Sequence, residues 1–165
     1  MKRAVWAQAA LILVVTILLA GCAKSDPIPQ KADFSFPLPE GYAIANETGE
    51  SCSIVREETG EAVGGFELTE LRRKDLKDKN FKNILRYLQN EFHKTNNVEF
   101  IAMHGGEGEP FVEVTLTRNS DDWEEQRHFY HTFFERDSLV YHLWRDCDLL
   151  DEEEVQEIGQ KVFAE

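Results

Sequence analysis

The sequence predicts an α+β domain: a mostly antiparallel sheet of about six or seven strands covered by helices on both faces, an α/β/α sandwich. Three observations point to it. Short runs rich in β-branched and aromatic residues recur along the chain, separated by turn residues. Helical spacing of apolar residues is clear in only two places, around Phe81–Phe92 and Val155–Phe163. The last two strand-like runs are apolar on both sides. If Arg136 faces Leu139, one face carries Phe129, His131, Phe133, Val140, His142 and Trp144. The other carries Tyr130, Thr132, Phe134, Leu139, Tyr141, Leu143 and Cys147. A sheet wetted on one side alternates cleanly, so two apolar faces imply cover on both.

In chain order, Met1–Lys2–Arg3 is a short positive start, and Ala4 to Leu19 is apolar apart from Gln8 and Thr16. Small residues and a thiol follow, Leu18–Leu19–Ala20–Gly21–Cys22. This order of charged, apolar and small residues is that of a secretory leader. The apolar run is shorter than the roughly 20 residues of a membrane-spanning helix. The string ending at Cys22 closely resembles the bacterial lipobox, which implies cleavage before Cys22 and a lipid on its sulfur. Two or more acyl chains make a stable anchor where a single chain is marginal. We therefore expect residues 1–21 to be a signal peptide and 22–32 a lipidated cysteine and tether. Residues 33–165 then form one globular domain on the extracytoplasmic face of a cell membrane. Pro27 and Pro29, with Asp26 and Gln30 around them, suit an extended tether.

Phe34, Phe36 and Leu38 alternate with polar or proline residues and predict a short strand. Pro39–Glu40–Gly41–Tyr42 predicts a turn. Cys52–Arg56 and Ala62–Leu71 predict a hairpin around Glu58–Thr59–Gly60–Glu61, with a bulge or close backbone approach at Gly64–Gly65. Phe81, Ile84, Leu85, Leu88 and Phe92 predict a helix from about Leu76–Asp78 to Asn96–Asn97. Val98–Met103, Pro110–Arg118, Gln126–Glu135 and Leu139–Asp146 predict strands, the last two joined by a two-residue turn at Asp137–Ser138. Asp151 is the expected cap of a closing helix whose apolar stripe is Val155, Ile158, Val162 and Phe163.

Three stretches carry a family resemblance: Phe34-Ser-Phe-Pro-Leu-Pro-Glu-Gly-Tyr42, Val63-Gly-Gly-Phe66, and Tyr141-His-Leu-Trp-Arg-Asp146 followed by a helix with Ile158 and Phe163. Their order is similar to the PsbP-like superfamily of small α/β/α proteins, which includes exported bacterial lipoproteins. The resemblance implies the same sandwich and a mostly accessory role. It brings no shared catalytic site.

Charge narrows the partners. The 165-residue chain has 18 basic and 31 acidic residues, a net of −13. Loss of residues 1–21 removes Lys2 and Arg3 and no acid, which makes it −15. Nucleic-acid binding needs a basic face, and only Arg72–Arg73–Lys74 is a basic run. We expect no nucleic-acid partner. The expected partners are the membrane, through the lipid, and a protein of the envelope.

Chemistry-bearing residues are few. Cys52 and Cys147 form a candidate disulfide in an oxidising compartment, or else are two buried thiols. His131 and His142 share a face, and His128 points to the opposite one. Zinc needs three or four converging ligands, and only pairs can be named. We expect no metal and no cofactor. Asp121–Asp122 with Glu124–Glu125, and Asp151–Glu154, lack calcium-loop spacing and read as a solvated loop and a helix start. Trp123, Phe129, Tyr130, Tyr141 and Trp144 suit either a ligand pocket or the sheet core. Gly64–Gly65 and Gly105–Gly106 lack the lysine of a phosphate loop, and no Gly-x-Ser-x-Gly elbow occurs. The expected function is a non-enzymatic, membrane-tethered accessory or interaction domain. The alternative is a small-ligand or metal-binding lipoprotein that serves a transport system. An enzyme would need a cleft that gathers His128, His131 or His142 with a carboxylate.

Overall fold

The computed structural model describes residues 32–106, 111–120, 122 and 124–163. The leader, Cys22 and most of the tether, together with Pro110, Asp121 and Trp123, lie outside the described residues.

Seven strands form one sheet: β1 (Tyr42–Ala45), β2 (Ser51–Arg56), β3 (Ala62–Leu68), β4 (Val98–Gly105), β5 (Phe111–Asn119), β6 (Gln126–Arg136) and β7 (Leu139–Asp146). Their order across the sheet is β1-β2-β3-β7-β6-β5-β4, and every neighbouring pair is antiparallel. The helical segments are few: α1 (Arg73–Leu76), α2 (Lys82–Arg86), a π-helical continuation over Tyr87–Phe92, and α3 (Glu152–Val162). Among the described residues, no helix is long and apolar enough to cross a membrane.

The closing hairpin follows its sequence pattern residue by residue. Arg136 pairs with Leu139 and Phe133 with His142. The turn residues Asp137 and Ser138 have φ of 53° and 66°. Positive φ at both central positions is the turn whose twist matches that of the strands. Asp151 caps α3 by accepting from the Glu154 amide, and the Glu154 side chain accepts from the Asp151 amide. Each removes a helix-end donor that would otherwise lack a partner.

Two apolar clusters hold the sheet. One joins Phe34, Phe36, Ile54, Phe66, Phe134, Tyr141 and Leu143 to Val155, Ile158 and Val162 of α3. The other joins Val112, Val114, Leu116, Phe129, Phe133 and Val140 to Leu76 of α1, Ile84 of α2 and Leu88 of the π segment. The two sets of apolar side chains on β6 and β7 therefore end in different clusters, as their alternation predicts.

Five expectations are corrected. Phe34–Leu38 alternates in burial but joins no strand ladder. Pro37 and Pro39 have no N–H to give to a neighbouring strand, and the segment is held by its side chains. Ala32, assigned to the tether, is buried in the first cluster. The edge strand Tyr42–Ala45 occupies the stretch just after the expected turn. The predicted long helix begins only at Lys82. Its cap residue Phe81 has φ of 51°, which separates it from α1. The third strand also ends at Leu68 rather than Leu71.

Gly65 shows why glycine stands in β3. A Cβ there would lie 2.5 Å from the Cys52 carbonyl oxygen and 2.8 Å from Trp144 Nε1. The indole of Trp144, the pairing partner of Gly65, rests where a side chain would be. Gly65→Ala is expected to destabilise the domain by about 1–3 kcal/mol, the usual range for overpacking. Urea unfolding followed by tryptophan emission measures this. An unchanged midpoint with an unchanged emission maximum would refute the close approach.

Candidate functional site

β6 and β7 carry His131 and His142, and the register brings their rings together. His131 Nδ1 is 2.7 Å from His142 Nε2. The sequence placed these two on one face. It did not single out His93, which follows the π segment. There the His93 amide donates to the Leu88 carbonyl, five residues back. This wider turn sets His93 Nε2 3.4 Å from His131 Nε2. At the far end, His142 Nδ1 is 3.4 Å from the Tyr87 hydroxyl oxygen, and that hydroxyl donates to Glu67 Oε2 at 2.6 Å. Glu67 is on β3, directly opposite His142.

Donor roles follow from the anionic end. A carboxylate only accepts, and a neutral imidazole has one donor and one acceptor. Tyr87 donates to Glu67, and His142 Nδ1–H is shared between the Tyr87 oxygen at 3.4 Å and Glu67 Oε2 at 3.6 Å. His142 Nε2 then accepts from His131 Nδ1–H, and His131 Nε2 accepts from His93 Nε2–H. The chain is directed from His93 to Glu67, where the His142 N–H is shared between the hydroxyl and the carboxylate.

Electrostatics keep the imidazoles neutral. His131 and His142 have 0% exposure. Burial, then the neighbouring His142 and His93, holds His131 well below its ordinary range. Burial lowers His142 as well, against the opposing pull of Glu67. Burial and the Arg118 charge bring His93 down to about 4. Burial pushes Glu67 up, but hydrogen bonds from His142 and Tyr87 outweigh it and hold the carboxyl below its usual range. Apolar rings seal the chain. Phe133 stacks on His142 at 4.6 Å, and Phe92 meets His131 and His142 edge-on at 5.2 and 4.8 Å.

Tyr87 and Glu67 are partly exposed at one end of the chain, and at the other end lies His93. It joins Phe92, Phe129 and Trp144 in the wall of a cleft of about 290 Å³, whose polar groups are Arg118, Arg127 and Asp146. The Arg118 and Arg127 guanidinium carbons sit 5.8 and 5.6 Å from the centre of the Phe129 ring. Arg127 pairs with the buried Asp146 carboxylate. A wider groove of about 450 Å³ lies beyond Tyr87, lined by Glu70, Arg86 and Glu91 together with groups that serve neighbours. Asp75 there accepts from the Arg72 amide and the Asn83 side chain, while Tyr87 serves Glu67.

The remaining expected site residues are dispersed. His128 lies at the sheet rim, with Nδ1 2.9 Å from Asp148 Oδ1. Tyr130 donates to Glu113 beneath the buried Arg145 guanidinium, and Tyr141 is core. Cys52 and Cys147 are free thiols, so of the two alternatives the candidate bridge is not formed. Cys52 pairs with Phe66 on β3, and Phe66 pairs with Leu143 on β7. A whole strand separates the two cysteines, and Cys147 lies four positions beyond Leu143. At about 4.8 Å per strand and 3.4 Å per residue, they are far outside the roughly 7 Å Cα limit of a disulfide. Burial pushes the Cys52 thiol up to about 11 and raises Cys147. Both are thus poor thiolates. Among the described residues, no three His, Cys, Asp or Glu side chains are placed to hold a metal ion. Asp151 and Glu154 are engaged in capping α3, and Glu154 also binds Arg56 and Tyr42.

Compared with known proteins, the chain matches no family model and no curated sequence.

Proposed function

We propose that this chain is an exported lipoprotein, anchored through Cys22 to the extracytoplasmic face of a cell membrane, whose domain binds rather than catalyses. The carrying observation is the contrast between sealed and open groups. His131 and His142, two of the three histidines that the enzyme alternative needed in a cleft, are fully buried and bonded to each other, and the third, His128, lies at the sheet rim on Asp148. One concave surface beside the buried pair, the cleft of about 290 Å³, combines aromatic walls with a few convergent polar groups, the usual character of a small-ligand site. In this reading the domain is a PsbP-like α/β/α sandwich, supported by helical residues in both apolar clusters. Its role is accessory: it holds a small molecule or a partner in the envelope. The cleft favours the small-molecule form, with delivery to a transport system as its use.

Mass spectrometry of the membrane fraction tests the anchor. Wild-type protein is expected to lack residues 1–21 and to carry acyl chains on Cys22, whereas Cys22→Ser remains uncleaved and unlipidated. An unmodified Cys22 in the wild type would refute the anchor. Crosslinking from intact membranes at Trp144 or Arg118 tests the surface, with sites on the exposed Glu58–Thr59 turn as control. Equal capture at both positions would remove the cleft from the reading.

A further inference from the structure

We propose that the cleft beside Trp144 binds a small carboxylic acid as its monoanion, with the carboxylate on Arg118 and a flat apolar body against Phe129 and Trp144. This rests on the reading of the domain as a binding module and names the ligand class.

Charge carries the first step. The chain has a net charge of −13, yet two guanidinium groups converge on one ring in this cleft. Arg127 is neutralised by Asp146. Among the described residues, Arg118 has no carboxylate partner, and its contact in the cleft is the Phe129 ring. His93 adds no charge near neutral pH, because burial and Arg118 hold it down. Among the described residues, the two guanidinium groups and the Asp146 carboxylate that line the cleft therefore sum to one positive charge. A monoanion balances that charge, and a dianion leaves an excess negative charge in the cleft.

Shape and hydrogen bonding carry the second step. A guanidinium fork matches a planar carboxylate with two parallel bonds. His93 Nε2 is engaged with His131, and Nδ1 has no partner among the described residues. The directed chain leaves that nitrogen as an acceptor, so it suits a hydroxyl or amide donor on the ligand. The other walls are Phe92, Phe129 and Trp144, which favour a flat ring. A volume of about 290 Å³ is at the small end for ligand sites and fits a one-ring molecule.

The test uses full-length protein in detergent micelles, with tryptophan emission as readout and benzoate, benzamide and inorganic phosphate as probes. Benzoate is expected to give saturable quenching, and benzamide and phosphate binding at least about tenfold weaker, since the charge-assisted fork is lost or mismatched. Arg118→Gln is expected to weaken benzoate by about tenfold or more, and Arg118→Lys by less, because the charge stays and the fork goes. Arg86→Gln, in the other groove, is expected to leave benzoate binding unchanged. Thermal melts of each variant establish that it is folded. Benzamide binding as tightly as benzoate would overturn the anion assignment and leave the cleft as a binding site. Tighter binding of phosphate would overturn the carboxylate class. No saturable binding of any probe would overturn both the inference and the small-molecule reading on which it rests.

Discussion

Phe36→Ala is expected to destabilise the domain by about 3–5 kcal/mol, the range for removing a buried aromatic ring. Whole domains are stable by only about 5–15 kcal/mol, so this single change approaches the threshold of unfolding. Phe36 is 7% exposed and sits at the middle of the first cluster. Its ring stacks on Phe66 at 4.3 Å and meets Phe134 and Tyr141 edge-on at 5.6 and 5.3 Å. The Arg136 guanidinium lies 4.8 Å over the same ring. No strand ladder holds the segment, so the truncation removes much of what docks it. Urea unfolding measures the effect, with Ser35→Ala as an exposed control that should change stability by less than about 0.5 kcal/mol. A loss of under about 1 kcal/mol in Phe36→Ala would mean that the segment does not dock in solution.

Acid is expected to unfold the domain through its histidines. An unfolded histidine titrates near 6.5, whereas His93 in the fold is held at about 4. Between these values the unfolded chain binds the extra proton, so stability rises with pH in that window. The contribution is complete above about pH 6.5 and is lost as pH falls through 4. At about 1.4 kcal/mol per unit, His93 alone accounts for about 3 kcal/mol. His131 and His142 are lowered too and act in the same direction. Glu67, held below its usual range, adds a further loss at lower pH still. Urea midpoints at pH 7.5, 6, 5 and 4 measure this. His93→Phe places an apolar ring beside Phe92 and Phe129 and removes one titrating group. Its stability is expected to fall less steeply over the same window, by up to about 1.4 kcal/mol per pH unit. Flat wild-type stability from pH 7 to 5 would refute the neutral histidine chain.

Much of the antiparallel sheet was legible because its signals are local. The β6–β7 hairpin needs only a two-residue turn and two alternating runs, all within Gln126–Asp146. Its register then placed His131 and His142 on one face without further information. The start of α3 needs Asp151 and Glu154 three residues apart. Gly64–Gly65 marked a close approach because a missing side chain in a strand has few other uses.

Other features misled for physical reasons. Phe34–Leu38 alternates like a strand because alternate residues are buried, but burial does not require a ladder. The helix pattern over Phe81–Phe92 says nothing of the left-handed Phe81 or of the π turn that shifts His93 by one residue. Both cysteines stand on or beside strands, yet adjacency depends on strand order, which the alternation of residues does not encode.

By itself, then, the sequence determined the acidic charge balance, the antiparallel strands, the two apolar faces of the closing hairpin and the cap of α3. Apart from the charge, which is a sum over the whole chain, each depends on residues within one or two turns of chain or across a single tight turn. Tertiary structure alone decided that β3 lies against β7. That pairing sets Glu67 opposite His142, puts a strand between Cys52 and Cys147, and lays Trp144 over Gly65. It also decided that His93 closes the imidazole chain at the cleft with Arg118. These placements join residues tens of positions apart, and only the packing of the whole sheet and its helices fixes such distances.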